Sequence, residues 1–123
     1  MTRATGIGGL FFRSGDPRAL SDWYHRHLGI DMSQGVWTQD AGPTVFAPFA
    51  RDTDYFPADR QWMVNLRVDD LPALITALTA AGIAVETRAD WDGDGSYGHF
   101  ARLHDPEGNP VELWQPPAAP AAP

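Results

Sequence analysis

SYGHFARLHDPEGNPVELWQ, residues 96 to 115, reads as strand, tight turn, strand. Asp105-Pro106-Glu107-Gly108-Asn109 predicts the turn: proline presets φ, glycine tolerates positive φ, and Asp and Asn bond their own backbone. Val111-Glu112-Leu113-Trp114 then alternates, so Glu112 and Trp114 share one face while Val111 and Leu113 share the other. A carboxylate in the middle of an apolar strand is the anomaly. It is either a solvent-facing side chain on an edge strand or a functional group in a pocket.

The 123 residues make one domain with room for a real core. A hydrophobic content of 43% and a charged content of 20% are ordinary for a globular chain. The net charge of −7 argues against nucleic-acid backbones and anionic membranes as partners, and it modestly favours cationic ligands. With no cysteine, disulfides, thiolate metal sites and cysteine nucleophiles are excluded. No apolar run is long enough to span a bilayer, and Met1-Thr2-Arg3-Ala4-Thr5 lacks the apolar core of a leader, so a cytoplasmic location is expected. Five tryptophans serve either a core or an aromatic-lined pocket.

Upstream, GIGGLFFR over residues 6–13 predicts a strand. Asp16-Pro17 then reads as a helix N-cap and first turn. Leu20, Trp23, Tyr24 and His27 form one helical stripe, and Gly29 closes the helix. Short strands are expected at 35–39 and 43–49, followed by a polar loop over 51–60. The second half repeats the first. QWMVNLRV (61–68) is a strand, and Asp70 with Pro72 starts a helix carrying Leu71, Leu74, Ile75 and Leu78. Strands at 85–87 and 97–104 flank the Asp92-Gly93-Asp94-Gly95 loop, which lacks calcium-loop spacing. Arg13 and Asp16 recur at the same separation as Arg67 and Asp70. The domain is therefore read as 1–115, with modules at about 6–50 and 61–115, linker 51–60, and a Pro/Ala tail from 116 to 123.

Two strand–Asp-Pro–helix units closed by DPEGNPVELWQP resemble the vicinal oxygen chelate superfamily, the group of glyoxalases, bleomycin-resistance proteins and extradiol dioxygenases. The resemblance implies an α+β fold in which two βαβββ modules curl their sheets into a cup, completed by homodimerisation. It places Glu112 at the position of the last metal ligand. The other ligand positions fall on Gly9, Met63 and near Phe46, none of which suits a divalent ion. No metal and no cofactor are expected.

Alternation from position 9 puts Phe11 and Arg13 on the cup face. Met63, Asn65 and Arg67 line it from the second module, with Phe46, Glu112, Trp114 and the adjacent Trp62. Arg13 and Arg67 equally suit solvated strand ends. His99 and His104 stand at odd separation, so one regular strand cannot point both inward. An aromatic wall with a few polar anchors is the composition of a small-molecule pocket. The expected function is metal-independent binding of an apolar or aromatic organic molecule, in sequestration or resistance. The alternative is a lyase or isomerase in which catalytic Glu112 moves a proton.

Overall fold

The hairpin forms as its turn chemistry dictates. In the computed structural model, which describes residues 2–118, β2 (His99–His104) and β3 (Pro110–Gln115) pair antiparallel around the turn. Asp105 organises the turn. Its carboxylate accepts from the Glu107 and Asn109 amides at 2.9 and 3.0 Å and from the Asn109 side chain at 2.8 Å. Gly108 sits at φ 82°, in the left-handed region that the turn requires. β1 (Val64–Arg67) joins the other edge of β3 in parallel, giving the order β1-β3-β2. A single bridge from Glu86 to Arg102 adds the rudiment of a fourth strand.

Both expected long helices are present. α1 (Pro17–Leu28) is capped by Asp16, whose carboxylate accepts from the Ala19 amide, and it ends at Gly29 with φ 71°. α2 (Leu71–Ala80) is capped in the same way by Asp70 through Ala73. The Gln115 side chain accepts from the Leu71 amide as well, so the end of β3 helps to start α2. A four-residue helix, α3 (Ala89–Asp92), leads into the expected Asp92-Gly93-Asp94-Gly95 loop.

The sheet has two chemically distinct faces. Register aligns Val64 with Val111 and Leu103, and Leu66 with Leu113 and Ala101, on one face. These residues form a core with Leu20 and Tyr24 from α1 and Leu71 and Leu78 from α2. Complete burial of Leu78, Leu103, Val111 and Leu113 contributes roughly 1.5–3 kcal/mol each. The opposite face carries the polar row described below.

The first module departs from expectation. Residues 6–13, 35–39 and 43–49 contain no strand, so among the described residues one βαβββ unit is built and its predicted counterpart contributes only α1. A β-ladder needs a second backbone to satisfy its amides and carbonyls, and these segments find none among the described residues. Their apolar side chains stay out in solvent: Phe11 is 94% exposed and Phe46 82%. Residues 116–118 are irregular; the remainder of the predicted tail, 119–123, lies outside the described residues, as does Met1.

Candidate functional site

On the face turned away from the helices, Asn65, Glu112 and Arg102 stand side by side across β1, β3 and β2. Glu112 is 7% exposed, and both its carboxylate oxygens are engaged. Asn65 Nδ2 donates to Oε1 at 2.7 Å, and the Tyr55 hydroxyl donates to Oε2 in a short hydrogen bond. Burial, together with the hydrogen bond to the Glu112 carboxylate and its charge, pushes the Tyr55 phenol up to about 12. At neutral pH it is therefore a protonated donor.

Arg102 is also 7% exposed. Its guanidinium lies 5.0 Å from the centre of the Tyr55 ring and 5.3 Å from that of Trp91, a cation between two aromatic faces. Nη2 donates to the Tyr55 carbonyl at 2.8 Å. Nε is buried and, among the described residues, has no hydrogen-bond partner; nor does Arg102 form an ion pair there. Phe49 stacks on Tyr55 at 5.5 Å, and Phe56 packs edge-on against Phe49. The Tyr55 loop thus roofs the polar row with aromatic rings.

The sequence-predicted residues lie in several separate places. Asn65 and Glu112 are brought into direct contact. Trp114 and Arg67 occupy the next row of the same face. Trp114 is sealed, with its indole N–H on the Tyr97 carbonyl and its ring stacked on Phe100, and Arg67 donates to the Asp40 carbonyl at 3.2 Å. Met63 is half-buried just before β1. Phe11 and Trp62 meet elsewhere, in a cavity of about 130 Å³ against Leu10, Tyr24 and Pro110. Arg13 and Phe46 are exposed, and neither reaches the Glu112 row.

A larger cavity of about 670 Å³ lies at the end of the sheet, lined by Asp69, Asp70, Asp92, His99, Phe100 and Gln115, with Glu112 not among its walls. His99 is tied to Asp92 there at 2.9 Å.

Sequence reasoning missed Arg102 and Tyr55. Arg102 was within reach. A hairpin turning through Glu107 pairs residue 102 with residue 112, and that register follows from the DPEGN turn alone. Tyr55 carries no such marker, because a loop's landing place depends on tertiary packing.

Over residues 9–114 the sequence matches the family described as the glyoxalase-like domain. This chain belongs to that family. As a glyoxalase-like protein it is a member of the vicinal oxygen chelate superfamily. The fold is shared with the crystal structure of TnmS3, described as an antibiotic binding protein, from Streptomyces sp. CB03234. Sequence identity is 24% and the TM-score 0.61, over 95% of this chain and all of the other. No curated protein sequence matches the chain.

The metal that the superfamily implies does not fit the donor set of this glyoxalase-like chain. Among the described residues, no three His, Cys, Asp or Glu side chains gather to hold an ion. Glu112 faces two hydrogen-bond donors, and a guanidinium flanks it in the row, so the local field already contains a positive charge. A hard divalent ion needs several oxygen or imidazole ligands, which Gly9, Phe46 and Met63 do not supply.

Proposed function

We propose that this glyoxalase-like protein binds a flat apolar or aromatic organic molecule without a metal, as a sequestering or resistance protein of the cytoplasm. The observation that carries the reading is the Glu112 row, a buried carboxylate held by neutral donors beside an arginine flanked by aromatic rings. Such a floor offers planar contact surface and directional hydrogen bonds, which is how small-molecule pockets combine affinity with orientation. The shared fold with TnmS3, an antibiotic binding protein, supports this reading.

The cup is completed in this proposal by a second copy of the chain. Exposed apolar residues crowd the three strandless segments: Ile7, Leu10, Phe11 and Phe12 in the first, Val36 in the second, Val45, Phe46 and Phe49 in the third. β1 is an edge strand whose outer side is unpaired in the sheet order, so a backbone partner has a place to dock.

One observation favours a lyase or isomerase as a second reading. The Glu112 carboxylate is buried beside a cation, an arrangement that also serves proton transfer next to a carbonyl.

The test is calorimetric titration with a panel of polycyclic aromatic ligands, before and after dialysis against a chelator. Binding is expected to be unchanged by chelation, with no consumption of ligand. Affinity that vanishes on chelation and returns with a divalent ion would overturn the metal-independent reading. Ligand turnover reduced about 10²–10⁴-fold by Glu112→Gln would establish the second reading instead.

A further inference from the structure

Neither cavity described above has Glu112 or Arg102 in its walls, and Tyr55 covers both, its hydroxyl on Glu112 and its ring under the Arg102 guanidinium. We propose that this Glu112–Arg102 centre is a recognition site for a hydroxyaryl group, and that Tyr55 occupies it as an internal stand-in which a phenolic ligand displaces. The inference rests on the small-molecule reading above and names the class of ligand.

Three features of the Tyr55 environment carry it. The first is how the ring is held. Phe49 stacks on it at 5.5 Å, Trp91 meets it at 6.3 Å and 66°, and the Arg102 guanidinium lies over it at 5.0 Å. None of these contacts depends on the ring being a tyrosine, and any flat aromatic group would satisfy them.

The second is that the hydroxyl supplies the direction. Glu112 Oε1 is taken by Asn65 Nδ2, which leaves Oε2 facing the ring as an acceptor only. A ring placed there must bring a donor. An aryl ether leaves the buried carboxylate oxygen unpaired, and an aryl carboxylate sets two negative charges together. Sites built to receive a hydroxyl reject analogues without one far more strongly than apolar pockets reject a methylene.

The third is that Tyr55 fits imperfectly and sits on a releasable loop. Arg102 Nε remains a buried donor without an acceptor among the described residues. A ligand ring carrying an acceptor oxygen beside its hydroxyl would answer it, as the tyrosine ring does not. The loop's other bonds near Tyr55 are local, Thr53 N to the Ala50 carbonyl and Tyr55 N to Thr53 Oγ1. Tyr55 meets the sheet through its own hydroxyl and carbonyl, so it leaves by exchanging those two bonds rather than by unfolding a strand.

The competition can be read directly with 2-naphthol and with 2-methoxynaphthalene, which keeps the ring and loses the donor. If Tyr55 holds the site, Tyr55→Ala binds 2-naphthol at least about tenfold more tightly than the wild type does, since the competent open state is no longer a minor population. The same variant prefers 2-naphthol to the ether by about tenfold or more. A readout in the unaltered chain runs alongside. With fluorotyrosine at the three tyrosines, the Tyr55 ¹⁹F resonance, assigned through Tyr55→Phe, shifts to a solvent-exposed position on addition of 2-naphthol.

Equal affinity of Tyr55→Ala for the two arenes would overturn the hydroxyaryl assignment while leaving small-molecule binding intact. A Tyr55 resonance that stays in place while 2-naphthol binds would overturn the displacement. If neither arene binds to wild type or variant, the small-molecule reading falls together with the inference.

Discussion

Tyr24 reaches from α1 to the hairpin turn, donating its hydroxyl to Asp105 Oδ2 at 2.7 Å. Burial, reinforced by the bond to Asp105, raises this phenol well above the ordinary tyrosine value, so it stays a donor throughout the stable pH range. Tyr24→Phe removes one charge-assisted bond from a carboxylate that keeps three other donors. A loss of about 1–2 kcal/mol is expected in urea unfolding, with unchanged slope. Asp105→Ala strips the acceptor from all four donors at once and should cost about 3 kcal/mol or more, and equal losses for the two variants would refute this account. At this scale Glu112 was legible because a charge interrupts an apolar alternation. Tyr24 was legible only as part of a helix stripe, since its partner lies 81 residues away.

The two long helices were legible almost to the residue, because their boundaries are written in neighbouring side chains. Asp16 and Asp70 cap, proline follows in the first turn, and Gly29 ends α1 in the left-handed region. Asp70→Ala should therefore destabilise the fold by about 1 kcal/mol, and Asp70→Ser by only a few tenths, as read from denaturation midpoints. The hairpin was legible for the same local reason. At its far end, Gly98 with φ 97° lets the chain pass so close to β3 that an added Cβ would clash with the Gln115 carbonyl oxygen. The first-module strands do not form among the described residues. Their residues have strand composition, but a strand exists only where a partner backbone arrives, and composition says nothing about the partner. Val85–Thr87 shows the intermediate case, reduced to the single Glu86–Arg102 bridge.

Taken whole, the molecule exposes 9614 Å² of accessible surface. A compact monomer of 13.5 kDa would expose about 6,500 Å², so roughly 3,000 Å² per chain lies open in excess, more than each partner needs to give up for the about 2,000–5,000 Å² that a permanent dimer buries in total. Sedimentation equilibrium at micromolar concentration is accordingly expected to give the mass of two chains, and Phe11→Asp or Phe46→Asp to shift the population toward one. A wild-type chain that sediments as a monomer would remove the second copy from the proposal. The parallel seam between β1 and β3 has a consequence for the order in which the fold assembles. Arg102 meets Glu112 across a short hairpin, whereas Asn65 must close 47 residues to reach the same carboxylate. By loop-closure entropy the longer search is about 1.4 kcal/mol harder. Glu112 and Arg102 are thus set in register while the crossover is still searching, and the amide that fixes the carboxylate's orientation is a late arrival.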